Sequence, residues 1–280
     1  MKLRDSLKGI IPEEKLSYVP SSYEIIGSRQ KAVAIIEIPE ELTEFKQAVA
    51  NALMNLHKNV KSVLVKKSER KGELRLREFE VFGDKNTEVL HKEHGYLVKI
   101  DPTKAYFSPR EATERQRIAS QVRPGETVMV MFSGVAPYAI AIAKKQPKVK
   151  KVICIELNEH AHKYAVENVR INKLEDKIIL INGDVREESK RFFGMCDRVV
   201  MPLPKGAYKF LDEAFSCIKE KGGVIHFYHW APEEDLFSEA IDLLKSKAKE
   251  YSRKIKVLDK RKVLPYAPRV WKVCIDCKVE

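Results

Sequence analysis

Three groups in the middle of the chain have the types and spacing to hold a nucleoside cofactor: Ser133-Gly134, Glu156 and Asp184. Ser133-Gly134 ends the apolar run Val128-Met-Val-Met-Phe132, and the helical-looking stretch from Ala139 to Lys144 follows. A glycine at such a strand end lets a ligand approach the backbone at the carboxyl edge of a parallel sheet, where open α/β sheets bind cofactors. Glu156 closes the next apolar run, Lys151-Val-Ile-Cys-Ile-Glu156, roughly 20 residues further on, where a carboxylate can accept hydrogen bonds from both ribose hydroxyls. Asp184, in Asn182-Gly-Asp-Val185 after a third run, can meet an adenine amino group. Either acid alone reads more simply as a solvated loop residue. Together, at successive strand ends, they favour an adenosyl cofactor, with Phe132, Val135, Leu157 and Val185 as its immediate neighbours. The spacing also suits a nicotinamide cofactor, but no G-x-G-x-x-G run is present.

Periodicity predicts the elements that position these groups. Residues 1–22 are polar, carry Pro12 and Pro20, and are expected to form a poorly structured lead-in. Residues 23–105 are expected to form a smaller α+β domain that positions substrate. Its strands are Tyr23–Gly27, Ala32–Ile38, Ser62–Lys66, Leu74–Phe82, Thr87–Gly95 and Tyr96–Ile100, with a helix from Pro39 to about His57. Alternation along Leu74–Phe82 places Arg75 and Arg77 on one face. From residue 106 onward helices alternate with apolar strands, which predicts a helix-wrapped parallel sheet. The strands are Thr127–Phe132, Lys151–Glu156, Ile178–Asn182, Cys196–Met201 and Val224–Tyr228, and the helices are Thr113–Val122, His160–Asn172, Ala207–Lys221 and Glu233–Tyr251. A hairpin-like terminal pair brings the strands to seven. The expectation over 106–280 is therefore a Rossmann-like α/β fold of class I S-adenosylmethionine-dependent methyltransferases.

A formal charge of +12 and a pI near 9.3 favour a polyanionic partner, although 40 acidic residues also suit the Lys/Glu-rich surface that thermophilic proteins carry. No stretch approaches the roughly 20 apolar residues needed to span a bilayer, and the N-terminus lacks the apolar core of a signal peptide. A cytoplasmic protein without a membrane partner is expected. Five cysteines scattered along the chain suit reduced thiols. Cys274-Ile-Asp-Cys277 has the spacing of a metal or redox pair, but no second pair accompanies it, so structural thiols and no metal are expected.

Six motifs then fall in a recognisable order: Tyr106-Phe-Ser-Pro-Arg110, Thr113-Glu-Arg115, Met131-Phe-Ser-Gly-Val-Ala-Pro-Tyr138, Met201-Pro-Leu-Pro-Lys205, Gly222-Gly-Val-Ile-His226 and Tyr266-Ala-Pro-Arg269. From about Ser17 to its C-terminus the chain resembles the archaeal and eukaryotic tRNA (guanine-N1)-methyltransferases, which modify the guanosine just 3′ of the anticodon, tRNA position 37. That family's extra N-terminal module is expected to be missing. The resemblance implies S-adenosyl-L-methionine as cofactor and tRNA, in particular tRNA-Phe, as partner, with no DNA and a monomeric enzyme. It implies Glu114 as general base, and Arg75 or Arg77 as the arginine that stabilises O6. Tyr106 and Arg110 fall near the cofactor, Arg115, Lys205 and Arg269 fall at the tRNA, and Pro202 and Pro204 fall in the loop that holds the target base. The chemistry agrees with these roles. Guanine N1 carries a proton at neutral pH, so methylation needs a base for that proton and a donor for charge developing on O6.

Two departures from the family pattern bear on function. The cofactor motif has Val130 and Ala136 where Asp and Gly are usual. The usual Asn-Leu-Pro reads Pro202-Leu203-Pro204, and proline offers neither a side-chain amide nor a backbone N–H. A pocket without that amide suits a different purine, such as the tricyclic wyosine precursor imG-14, methylated at C7. Two other readings stand beside this one: a wybutosine-pathway aminocarboxypropyl transferase using the same cofactor, and a non-catalytic tRNA-binding relative.

Overall fold

A computed structural model describes residues 2–68 and 77–280. The chain divides into one unit of Met1–Pro109 and another of Arg110–Glu280, so Tyr106 belongs to the first and Arg110 to the second.

In the first unit β1 (Glu24–Gly27) and β2 (Ala32–Ile36) pair antiparallel. A parallel neighbour for β2 needs a crossover, and α1 (Lys46–Leu56) supplies it before β3 (Val60–Lys66). β4 (Phe79–Gly83) closes a sheet of order β1-β2-β3-β4, and β5 (Val89–Glu93) and β6 (Tyr96–Ile100) form a separate hairpin. Ala32, Ala34 and Ile36 of β2 pack with Val63 and Val65 of β3 and with Val49, Ala50 and Leu53 of α1. The lead-in departs from expectation. Leu3, Leu7, Ile11, Leu16 and Val19 are buried in this same core, because 3-10 turns at Asp5–Leu7 and Glu13–Tyr18 gather apolar residues spaced three to five apart onto one side. Average polarity conceals that pattern. The helix expected from Pro39 is a 3-10 turn at Glu40–Phe45 before α1 begins. Of the strand expected at Leu74–Phe82, Arg75 lies outside the described residues, and Arg77 stands just before β4.

The second unit runs α2 (Ala112–Gln121), β7 (Thr127–Met131), α3 (Pro137–Lys145), β8 (Lys151–Glu156), α4 (Glu159–Ile171), β9 (Ile178–Asn182), α5 (Val185–Glu188) and β10 (Arg198–Met201). Then come α6 (Leu211–Cys217), β11 (Gly223–Pro232), α7 (Ser238–Glu250), β12 (Ile255–Ala267) and β13 (Val270–Val279). Its seven-stranded sheet has the order β12-β13-β11-β10-β7-β8-β9, with β13 antiparallel to both neighbours. All five residues of β7 are buried, as expected of a central parallel strand covered on both faces. The helix expected at Ala207–Lys221 is shorter, a 3-10 turn followed by α6. Ile218 leaves it extended because Cys196 N–H donates to Cys217 O and Lys219 N–H donates to Cys196 O. β11 outruns its apolar stretch to Pro232, since β13 continues to pair with it. The five cysteines are free and buried. Cys274 and Cys277, three apart on β13, point to opposite faces and cannot close on one ion. Among the described residues no helix is long and apolar enough to cross a membrane.

Candidate active site

The loop after β7 reverses sharply. Phe132, Gly134 and Ala136 have φ of 54°, 57° and 65°, values that glycine adopts freely and that cost other residues about 1 kcal/mol or more. Neighbouring elements hold it in place. Ser133 N–H donates to Ile155 O (3.0 Å), Ala136 N–H donates to Ser133 O (3.0 Å), and Asn168 of α4 donates its amide to Val135 O (3.1 Å). Pro137 then opens α3 at a position where a missing N–H costs nothing. Ala136 is fully buried, and its methyl sits where the usual glycine would leave space.

Glu156, at the end of β8, binds this loop directly. Its Oε2 accepts from Gly134 N–H (2.6 Å) and its Oε1 from Asn158 N–H (2.8 Å). Burial raises its pKa above the usual carboxylate value, against the lowering effect of these backbone donors. Each oxygen keeps acceptor capacity for a further donor. The side chain of Asn158 caps α4 through His160 N–H and Ala161 N–H. Asn158 was signalled in the sequence by its place between a strand and a helix, although it was not read as part of the site.

Asp184 caps α5. Its Oδ1 accepts from Arg186 N–H (2.8 Å), and its Oδ2 lies 3.3 Å from the Arg186 guanidinium. Arg186 lies 4.2 Å over the Phe210 ring, and Phe210 meets Phe132 edge-on at 4.8 Å. Phe132 and Asp184 are thus joined through Arg186 and Phe210, which no local pattern had marked. Leu157 is 43% exposed, whereas Val135 and Val185 are buried. The β7, β8 and β9 order sets these three loops side by side. Their donor set fits an adenosyl group: a two-oxygen acceptor for ribose hydroxyls, an exposed apolar side chain, and a carboxylate on the neighbouring loop.

Glu114 on α2 is buried and accepts three hydrogen bonds: Arg117 Nε to Oε2 (2.8 Å), Arg117 Nη2 to Oε1 (2.8 Å), and Tyr228 Oη–H to Oε1 (2.6 Å). Arg117 also donates to Asp276, which accepts from Gln121 (2.7 Å) and from His226 Nδ1–H (2.7 Å). Arg198 donates to His226 Nε2 (2.6 Å) and pairs with Glu126 (2.9 Å). A guanidinium can only donate, so Nε2 accepts, Nδ1 carries the proton, and the ring is neutral. Burial lowers the His226 pKa, and the nearby Arg198 and Arg117 charges lower it further. Burial pushes the Asp276 carboxyl up, yet the hydrogen bonds from His226, Arg117 and Gln121 hold it well below the usual range. His226, Cys274 and Asp276 lie close enough to suggest metal ligands, but hydrogen bonds between them and two guanidinium groups already satisfy the cluster. Arg115, expected at the tRNA backbone, is only 2% exposed and presents no charge to a surface phosphate.

The Pro202–Pro204 loop, expected to hold the target base, follows β10. Pro204 is buried, Lys205 is exposed, and the Pro202 carbonyl accepts from Lys272 Nζ at 3.4 Å. Lys272, itself buried, pairs with Glu111 (2.8 Å). Tyr138 Oη lies 3.4 Å from Glu111 and 3.2 Å from Tyr228 Oη. A continuous buried polar chain therefore joins the Pro202 loop to Glu114 through Lys272, Glu111, Tyr138 and Tyr228. Sequence reading missed these four: Tyr228 and Lys272 lie on the paired strands β11 and β13, Tyr138 lies on α3, and Glu111 lies in the turn before α2. Arg110 is exposed just before α2, and Arg269 is exposed at the β12–β13 turn with φ of 58°.

The strand order, the antiparallel β13 and the carboxylates at successive strand ends define a class I methyltransferase fold. Residues 89–258 match the TRM5/TYW2 methyltransferase domain, and residues 3–85 match the TYW2 N-terminal domain. The chain belongs to the TRM5/TYW2 methyltransferase family. It is 41% identical over 270 residues, 96% of its own length and 78% of the relative's, to the tRNA (guanine(37)-N(1))-methyltransferase Trm5b of Pyrococcus abyssi. It is 31% identical over 278 residues, covering 99% of itself and 96% of the relative, to a tRNA(Phe) (4-demethylwyosine(37)-C(7)) aminocarboxypropyltransferase of Pyrococcus horikoshii. A solved complex of aTrm5 with tRNALeu matches it with a TM-score of 0.85 and 36% identity, covering all of this chain and 78% of that one.

Proposed function

We propose that this protein transfers a methyl group from S-adenosyl-L-methionine to N1 of the guanosine at position 37 of a tRNA. The observation that carries the reading is Glu114, a buried carboxylate with three of its roughly four acceptor positions filled, leaving one on Oε2 for the guanine N1 proton. The cofactor supplies an electrophilic methyl on a sulfonium, displaced in line. Glu156 would hold the ribose, Leu157 and Asp184 would flank the adenine, and the backbone of Phe132–Val135 would lie along the cofactor. Arg77 or Arg75 is proposed to stabilise charge on O6, and Arg110 and Tyr106 to approach the cofactor and tRNA. Lys205 and Arg269 are proposed as phosphate contacts, while the buried Arg115 has a structural role. The substrate proposed is tRNA-Phe, and the enzyme acts as a cytoplasmic monomer. The identity to the Pyrococcus abyssi methyltransferase exceeds that to the aminocarboxypropyltransferase, which favours methyl transfer.

Mass spectrometry of tRNA-Phe anticodon fragments after incubation with protein and cofactor tests the reading. A methyl on N1 of guanosine 37 is expected, and an aminocarboxypropyl mass increment would replace it with the other activity. Glu156→Ala removes charge-assisted hydrogen bonds worth about 1.5–3 kcal/mol, so calorimetry should show cofactor affinity reduced by roughly 10- to 150-fold with tRNA affinity retained.

A second substrate, the C7 carbon of the tricyclic precursor imG-14, follows from Pro202, which offers the base a carbonyl already held by Lys272 and no amide. Pro202→Asn should shift the ratio of initial rates towards unmodified guanosine. An unchanged ratio on the two substrate RNAs would remove the loop from base selection.

A further inference from the structure

Strands β11, β13 and β12 pair beyond the parallel part of the sheet. Their register sets Trp230, Lys272 and Leu264 in line on one face, and Ala231, Trp271 and Pro265 in line on the other. The first face belongs to the target-base loop, because Lys272 reaches the Pro202 carbonyl. There Tyr266 stacks on Trp230 with centroids 3.7 Å apart and planes at 28°, and the Lys205 ammonium stands 5.8 Å from the Trp230 ring. Tyr266 is 45% exposed, so an aromatic surface is presented to solvent from a partly buried base. Among the described residues neither Lys205 nor Arg269 makes an ion pair, so both charges remain available to an anion. The opposite face is closed on itself: Lys262 lies 3.4 Å over the Trp271 ring, and both Lys262 and the Trp271 indole N–H meet Glu233.

Stacked aromatics beside uncommitted cations are the combination that binds unpaired nucleotides, the ring taking the base and the cation the phosphate. We propose that Tyr266, backed by Trp230, is a stacking platform for the base of a nucleotide adjacent to the one methylated, with Lys205 at the intervening phosphate. This rests on the tRNA reading above. Lys205 divides the surface: Pro202–Pro204 on one side serve the target base, and Trp230 and Tyr266 on the other serve its neighbour. The partly buried Trp230 keeps the Tyr266 ring from turning into the protein, which lowers the ordering cost of stacking on it.

The experiment measures dissociation constants for an anticodon stem-loop RNA with wild type, Tyr266→Ala and Tyr266→Phe, together with RNAs made abasic at the target or at either neighbouring position. Tyr266→Ala should weaken binding roughly 5- to 100-fold, Tyr266→Phe should restore it to within about twofold, and cofactor affinity should not change. The RNA abasic at one neighbour should lose a similar factor, and Tyr266→Ala should add little to that loss. The chain has two tryptophans, so Trp271→Phe leaves Trp230 as the single reporter, and intact RNA should alter its fluorescence more than the abasic RNA does. Unchanged affinity in Tyr266→Ala would overturn the platform while leaving the tRNA reading in place. Absorption of the loss by the abasic target instead would assign the stack to the methylated base and overturn the neighbour. Failure of the wild type to bind RNA at all would remove both readings together.

Discussion

Glu114→Gln should lower the rate of guanosine N1 methylation by roughly 10²- to 10⁴-fold at neutral pH, while the affinities for tRNA and cofactor stay within a few-fold of wild type. The substitution keeps the side chain's volume, and its amide oxygen can still accept from Tyr228 and from Arg117 Nη2, so only the bond from Arg117 Nε is lost. What it removes is the capacity to take a proton. Without a base the reaction must use guanine that has lost its N1 proton to solvent, so the variant's rate should climb by about tenfold per pH unit until N1 is ionised. Single-turnover rates from pH 7 to pH 9 measure this. Near-normal turnover at pH 7, or a variant profile parallel to that of wild type, would take the base role away from Glu114.

Arg117→Met should cost about 3–5 kcal/mol of stability, because it leaves Glu114 and Asp276 buried without their shared cation. For a domain of this size that is a fall in melting temperature of roughly 6–20 °C. The penalty has a defined pH dependence. Asp276 in the folded wild type is held below its ordinary carboxylate pKa, so the network's contribution is complete above that ordinary value and is lost as the pH falls further and the unfolded chain takes up the proton first. His226, buried neutral with a lowered pKa, acts in the same direction. Below its ordinary pKa the unfolded chain binds a proton that the folded ring refuses, which costs up to about 1.4 kcal/mol per pH unit. Glu156, whose pKa is raised, opposes this in the carboxylate range. The comparison that isolates the Arg117 pair is therefore the difference between wild type and Arg117→Met, which should narrow in acid as Asp276 protonates in the variant. Thermal melts at pH 7, 5 and 4 test the sign, and a difference that widens in acid would contradict it.

The same network shows why a charged residue two positions beyond a motif can matter as much as the motif. Arg117 lies outside Thr113-Glu-Arg115, yet it holds Glu114 by two hydrogen bonds and ties α2 to β13. Lys272 likewise carries no sequence signal, and it connects the Pro202 loop to Glu111 from the far strand of the chain. Both effects depend on β13 lying antiparallel beside β11, a pairing that joins residues some 50 positions apart, such as His226 and Asp276.

By itself the sequence determined what is encoded locally. Buried apolar runs gave the parallel strands, and short motifs gave the family. These features depend on neighbours a few residues away, and strand periodicity reports them directly. The tertiary structure decided what depends on pairing between distant segments. It drew the polar lead-in into the core through five scattered apolar residues, buried Arg115, and shortened the helix after Gly206 by tying Cys196 to Cys217. It also surrounded Glu114 with Arg117 and Tyr228 and stacked Tyr266 on Trp230. The physical reason is the same in each case. Hydrogen bonds and ring contacts formed across a sheet depend on register between strands far apart in the chain, and no local periodicity records that register.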